Sequence, residues 1–369
     1  MEGPRGLRAN EMASLGELVD TVFMPEGEGT AMLRAFPQLF NEDNLDNLFV
    51  MVDEGRVVSH VGMTEHWASL AGCTVGVACI GAVATYEESR GQGFATQLLE
   101  ASCKKAQADG MDFMMISGGR GMYRRAGAAD VGRDHQCRVT LAQAEALPKA
   151  DVSVRSYGDA DFADCARAYR SRVAHYIRPL EDWQRYLDSR ICRCVDTQLT
   201  AVLSGGAVCG YFVHHVKRED GATRVLEFAG EQTVLTAALP ALMQSDGSAA
   251  VELHLQEEDE VLRRLLVQAG VEAKATATLG TLLLLDFDRL MERMHPFFEA
   301  QLGREQAKEL RCCREGDEFV FRLAGDEHRV NGKMAAAELV FGHPEKAAPE
   351  GWLRELFPAP SLWYGISYV

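Results

Sequence analysis

Apolar residues recur at helical and strand periods along almost the whole chain, and two stretches do so alike. Leu15, Leu18, Val19 and Val22 fall at i, i+3, i+4 and i+7 behind the short run Leu7-Arg8-Ala9. Phe162, Cys165, Ala166 and Tyr169 repeat that spacing behind Val154-Arg155-Ser156. Each set lays one apolar stripe along a helix. Positions 8 and 155, like 15 and 162, are 147 apart. A strand and a helix met twice at one offset predict a duplicated α/β unit.

Strand signals fill in both copies. In the first, Leu48–Val52 and Val57–Gly62 flank the turn Asp53-Glu54-Gly55, and Cys73–Thr85 is a long β-branched run. A helix over 93–109 follows, with Ala95, Leu98, Leu99, Ser102 and Ala106 on one stripe and Gly110 as its C-cap. Phe113–Ser117 reads as a buried strand and Val131–Leu141 as an edge strand. In the second copy, Leu199–Leu203, Gly210–Val216, Val225–Ala229, Ala250–Leu255 and Thr278–Phe287 read as strands, with a turn near Asp220-Gly221 and a helix over Thr233–Met243. From Arg289 a helix, short strands at Glu318–Leu323 and Glu327–Val330 and a helix at Lys333–Leu339 precede a Pro-punctuated tail. The fold class expected is mixed α/β (α+β): tandem units over 1–150 and 151–288, then a small α+β domain over 289–369.

Between the strand ending at Thr85 and the helix lies Arg90-Gly91-Gln92-Gly93-Phe94-Ala95. Glycines at a helix N-terminus let backbone N–H groups approach a phosphate, and the macrodipole favours its charge. Arg90 adds a charge-assisted donor. The bare pattern also fits Arg124–Ala129, Arg155–Ala160 and Gln244–Ala249. The first and last of these run into strands, and Asp159 and Asp161 would repel a diphosphate. Only the Arg90 loop joins a strand to a helix without an internal carboxylate.

Composition narrows the rest. At 369 residues, 47% hydrophobic and 25% charged, the chain is of globular type and too long for one core. A net charge of -16 argues against nucleic acid as a partner. No apolar run approaches the ~20 residues of a membrane helix, and the start MEGPRGLRANEM lacks a signal pattern, which points to the cytoplasm. The ten cysteines are scattered. Cys192/Cys194 and Cys312/Cys313 have no second pair at zinc-like spacing, so reduced thiols and no metal are expected.

Val83-Ala84-Thr85, the Arg90–Ala95 loop, its helix and Tyr123-Arg-Arg-Ala-Gly127 resemble the acetyl-CoA core of the GNAT N-acetyltransferase superfamily. The tripartite layout and the aromatic end Trp363-Tyr-Gly-Ile-Ser-Tyr-Val369 resemble the three-domain branch related to mycobacterial Eis. That branch pairs a catalytic GNAT unit with a degenerate GNAT unit and a sterol-carrier-protein-like (SCP2-like) C-terminal domain. The resemblance implies that Val83, Ala84 and Thr85 pair with the pantetheine of acetyl-CoA as an added strand. It implies that Arg90, Gly91, Gln92, Gly93, Phe94, Ala95 and Thr96 hold the pyrophosphate, with further contacts at Gly118 and Gly119. Tyr123 corresponds to the general acid that protonates the leaving thiolate. A phenol of pKa ~10 facing a thiol of ~8.5 needs close positioning for that transfer. The general base corresponds to the C-terminal carboxylate, here Val369, on a tail whose apolar residues predict docking. The acceptor implied is a primary amine of an aminoglycoside, polyamine or lysine. The assembly implied is a homo-oligomer, a hexamer in related proteins.

Other candidates carry less. His214-His215 would face opposite sides of a strand and cannot share a metal. Glu65-His66-Trp67 fits an acceptor pocket or an exposed hairpin, and Pro25–Arg34 is a candidate specificity loop. Glu257–Glu260 suits a helix N-terminus. The second unit has only Gly230 where a pyrophosphate loop would fall, so it is not expected to bind CoA. The competing class is a non-catalytic CoA sensor or lipid-binding protein on the same scaffold.

Overall fold

The computed structural model describes residues 1–25, 29–215 and 220–369. Strands β1 (Glu2–Gly6), β2 (Leu48–Asp53), β3 (Arg56–Leu70), β4 (Cys73–Thr85) and β5 (Phe113–Ile116) lie side by side in chain order. Neighbours are antiparallel except β4 and β5, which run parallel. The next strand, β6 (Asp134–Thr140), leaves this sheet for the second one. After β7 (Val152–Ser156), the short β8 (Ala174–Tyr176) returns to pair with β3. The two-residue β9 (Ile191–Cys192) forms a hairpin with β10 (Val195–Ser204). Then come β11 (Ala207–His215), β12 (Ala222–Gly230), β13 (Ala250–Leu255) and β14 (Ala273–Thr276). The second sheet runs β14-β6-β13-β12-β11-β10-β7. Finally β15 (Thr281–Leu284) crosses back and pairs antiparallel with β5.

The first sheet thus takes β8 and β15 from the second half of the chain, and the second sheet takes β6 from the first. The alternation of 131–141 is that of an interior strand: β6 has β13 on one side and β14 on the other, where the pattern predicts an edge. Period-2 patterning reports faces, and it is blind to how many neighbours a strand has.

The duplication is real in the geometry, but its offset is 150. Arg5 pairs with Glu11 and Arg155 with Asp161. Glu11 accepts from the Arg8 backbone N–H at 2.9 Å and Asp161 from that of Gly158 at 2.8 Å. Both members of each pair are 150 apart, as are the helix starts Met12 and Phe162. The offset of 147 slips the stripes by three residues, nearly one turn, and so matches faces without matching caps. β1 correspondingly precedes Leu7-Arg8-Ala9.

The strand expected over Thr278–Phe287 is shorter, because Asp286 caps a helix Phe287–Arg293 with its side chain on the Arg289 N–H. The apolar pattern also leaves out the strand β16 (Arg311–Glu315) and the helix Leu180–Ser189. β16 forms the third sheet with β17 (Glu318–Leu323) and β18 (Asp326–Asn331). The helix Lys333–Phe341 joins this C-terminal sheet to the first one, with the Phe341 ring packed at a tilt 5.2 Å from that of Phe113 of β5. One apolar core therefore runs from the first sheet into residues 289–369. No helix among the described residues is long and apolar enough to cross a membrane.

Candidate active site

β4 carries a bulge. His60 pairs with Ala84 and Gly62 with Gly81, so Ala82 and Val83 both stand opposite Val61. Ala82 takes the left-handed conformation, φ 50°. β5 pairs with β4 only from Val77 to Ile80. Beyond that point β4 continues to Thr85 while β5 has ended, so the strand edge over Val83, Ala84 and Thr85 is open on that side. An open edge offers main-chain partners to an extended ligand, as pantetheine is. Val83 O is approached at 3.4 Å by Arg120 Nη1.

The turn beyond Thr85 is a nest of amides. Gly91 and Gly93 have φ of 80° and 78°, conformations that favour glycine. A Cβ on Gly91 would meet nothing within 4 Å, and one on Gly93 only the Gln97 amide at 3.8 Å. Residues 90–93 and Thr96 are exposed. The N–H groups of Gly91, Gln92, Gly93, Phe94, Ala95 and Thr96 find no acceptor among the described residues; the first intrahelical bond is Gln97 N to Gly93 O at 3.1 Å. The helix Phe94–Ala108 is seated by Phe94, Leu98, Leu99, Ser102 and Ala106. Phe94 takes the inward position expected of Ala95. Arg90 folds back, its Nε 3.3 Å from Thr85 O. This exposed, unpaired helix start fits a diphosphate. In the second unit Glu231 stands at the start of the helix Gln232–Asp246, and its charge opposes a phosphate there.

Tyr123 lies on the short helix Gly121–Arg125 and is 4% exposed. A Cβ on Gly118 would touch its ring at 3.7 Å. Burial pushes the Tyr123 phenol above its ordinary pKa, partly offset by the Arg120 guanidinium. Val369 is 1% exposed. Tyr123, Val369, Val83 and Gly118 line one cavity of about 480 Å³, walled by Met32 and Phe36 and reached by Arg193 from the other half. Gly119 borders that region without lining the cavity.

The tail is docked by specific contacts. The Trp363 indole donates to Leu226 O at 2.5 Å and its ring stacks on His254 at 3.8 Å. Ile366 N–H donates to Glu227 Oε2 at 3.1 Å. Arg178 grips Glu227 with two bonds, 2.8 and 2.6 Å, and reaches Ser367 Oγ at 3.1 Å. Gly365 has φ 52°, and a Cβ there would lie 1.8 Å from Glu227 Oε2. Arg178, Glu227, Gly365 and Gly81 escape a sequence reading. The only signal available was Gly81 inside a strand pattern, which hints at a bulge or a close approach.

Other sequence candidates stay apart from the cavity. His214 sits between Thr200 Oγ1 at 2.9 Å and Asp246 Oδ2 at 3.1 Å, and His215 faces Cys192 O at 3.1 Å. Glu65 lies 3.7 Å from Lys105, its carboxyl raised to about 7 by burial. His66 packs on Tyr176, and Trp67 is exposed under Arg293. Asp259 binds Arg172 at 3.1 Å through each oxygen. Residues 26–28 of the loop Pro25–Arg34, and Val216 of the expected strand, fall outside the described residues. All ten cysteines are unpaired, and no cluster of metal-ligating side chains occurs among the described residues.

Residues 4–130 match the acetyltransferase (GNAT) domain family. No curated protein matches the chain. Among solved structures, it is similar to the GCN5-related N-acetyltransferase from Kribbella flavida, at 19% identity and TM-score 0.66, over 92% of this chain and 89% of that one. A probable N-acyltransferase from Enterococcus faecalis V583 gives 14% and 0.64, over 89% and 84%. Eis1 from Mycobacterium abscessus gives 14% and 0.60, over 96% of each chain. At these identities the likeness is of fold: two tandem GNAT-like mixed sheets. Residues 4–130 are a GNAT acetyltransferase domain, and the chain that carries it is an acyltransferase.

Proposed function

We propose that this chain transfers an acetyl group from acetyl-CoA to a primary amine, with Tyr123 as general acid and the Val369 carboxylate as general base. The observation that carries the reading is the shared cavity of those two groups beside the open edge of β4. Val83, Ala84 and Thr85 would receive the pantetheine arm, and residues Arg90 to Thr96 the pyrophosphate. Gly118 and Gly119 would flank the acetyl end.

The co-substrate supplies a thioester: a C–N bond to the amine forms and the C–S bond breaks. The Val369 carboxylate takes a proton from the ammonium and frees the nitrogen lone pair. Tyr123, a neutral phenol near neutral pH, delivers its proton to the departing sulphur. The second proton shed by nitrogen restores the phenol, and the proton on Val369 passes to water. Electrostatic help comes from Arg120, which faces the same cavity.

We assign catalysis to residues 1–150, the shaping of the acceptor cleft to 151–288 and a supporting role to an SCP2-like 289–369. The amines raised by the resemblance are aminoglycosides, polyamines and lysine side chains, and a homo-oligomer, hexameric in the branch, is the assembly proposed. Calorimetric titration with acetyl-CoA, followed by thiol release in the presence of primary amines, tests the reading. Micromolar binding and amine-dependent thiol release are expected; a protein that binds no acetyl-CoA at high micromolar concentration overturns it.

A further inference from the structure

The cavity is unusual in its charge. In a chain of net charge -16, the charged side chains lining it are Arg120 and Arg193, and no Asp or Glu side chain is among its described lining residues. Neither arginine forms an ion pair among the described residues, nor with the Val369 carboxylate. Arg120 is committed to β4 through Val83 O. Arg193 has its guanidinium 5.0 Å from the centre of the Tyr368 ring, which holds a cation without neutralising it.

The backbone that presents Arg193 is itself informative. Arg193 and Cys194 form the two-residue tip between β9 and β10, where Cys192 pairs with Val195. Both are left-handed, with φ 57° and 64°. Such tips call for glycine, at the second position above all. The tips Glu54-Gly55, Ala71-Gly72, Gly205-Gly206 and Ala324-Gly325 all obey that rule. The tip Gly316-Asp317 has its glycine first; among the two-residue tips of the described residues, Arg193-Cys194 alone has no glycine, and it is the one that enters the cavity of the other half of the chain. Strain at a tip that meets a functional cavity marks side chains kept for what they touch.

The same cavity has an apolar lining, Phe23, Met32, Phe36 and Tyr368. Resting on the acetyltransferase reading above, we infer that the acceptor is a primary amine bearing its own carboxylate beside an apolar body, as in an apolar α-amino acid, and that Arg193 recognises that carboxylate. An amine placed between Val369 and the thioester would set its carboxylate toward the guanidinium and its side chain on that lining. A polyamine or aminoglycoside would instead bring two or more extra positive charges against two arginines, with one chain-end carboxylate to offset them. The volume, about 480 Å³, suits a small molecule.

The test compares L-phenylalanine with phenethylamine, which lacks only the carboxylate, and with spermidine, by thiol release from acetyl-CoA. Wild type should prefer phenylalanine in kcat/KM. In Arg193→Gln the ratio of phenylalanine to phenethylamine should fall by about tenfold to a hundredfold, the worth of a charge-assisted hydrogen bond, mainly through KM, and Arg193→Lys should recover part of it. Acetyl-CoA-induced thermal stabilisation of the variant shows that it is folded. A ratio unchanged by Arg193→Gln, or spermidine as the better acceptor, overturns this inference and leaves the acetyltransferase reading standing. Failure of acetyl-CoA to bind wild type overturns that reading and this inference with it.

Discussion

A Cβ on Gly81 would lie 2.2 Å from the carboxyl carbon of Val369. The chain end rests on a bare stretch of β4, and the absence of a side chain there is what lets it do so. Gly81 has no left-handed φ, so replacing it strains no backbone, and the effect is purely steric. Gly81→Ala should displace the carboxylate and lower kcat by about 10²-fold or more, the scale of a lost general base, with acetyl-CoA binding intact. Removing Val369 should do the same, and the combination should do no more than either alone. Steady-state kinetics beside calorimetry checks this; additive losses would separate Gly81 from the chain end.

Tyr123→Phe keeps the ring that packs by Gly118 and deletes only the hydroxyl that carries the proton. We expect kcat to fall about 10²- to 10⁴-fold while KM for acetyl-CoA stays within a factor of two or so. Because burial raises the phenol's pKa, the midpoint of any activity loss from tyrosine ionisation should lie above the ordinary value of 10. A loss with its midpoint below that pH which vanishes in Tyr123→Phe would contradict the direction of that shift.

The nest predicts a charge effect. Gln92→Glu introduces a carboxylate among six exposed or unpartnered N–H groups and should weaken acetyl-CoA binding by about tenfold, less at high salt. Because residue 92 is exposed, the variant's melting temperature should hardly change. Equal affinity of both proteins in calorimetry would place the pyrophosphate elsewhere.

The clamp on the tail is a buried ion pair, with Arg178 and Glu227 side chains 1% and 3% exposed. Arg178→Met strands the Glu227 carboxylate, which still accepts from Tyr211 Oη at 2.7 Å and from Ile366 N–H. Breaking such a pair from one side costs about 3–5 kcal/mol. A urea midpoint within error of wild type would argue that the pair contributes nothing net.

His60 gives a pH signature. Its Nδ1 donates to Phe49 O at 3.0 Å while Nε2 is buried without a partner, and burial lowers its pKa from 6.5 to about 4. The folded form therefore holds the ring neutral, and this contribution is present above pH 6.5 and lost as pH falls toward 4. Relative to His60→Gln, wild type should lose about 3 kcal/mol over that range. Glu65 opposes it in the whole profile, because its raised pKa, about 7, stabilises at low pH and fades as pH rises. The difference between the two proteins isolates the histidine. Parallel stability curves would show that His60 does not titrate as described.

The sequence alone determined what depends on neighbours along the chain. Stripes, β-branched runs and glycine turns located most strands and helices, because periodicity encodes which face is buried. The strand–glycine–helix order singled out the Arg90 loop, since a helix start and its amides are a local property. Only the tertiary structure decided what depends on distant partners. The exchange of β6 and β15 between sheets, the seat of Val369 on Gly81, the grip of Arg178 and Glu227 on the tail and the entry of Arg193 into the cavity each join residues far apart in the chain. Packing between such surfaces is set by three-dimensional complementarity, and no spacing along the sequence records it.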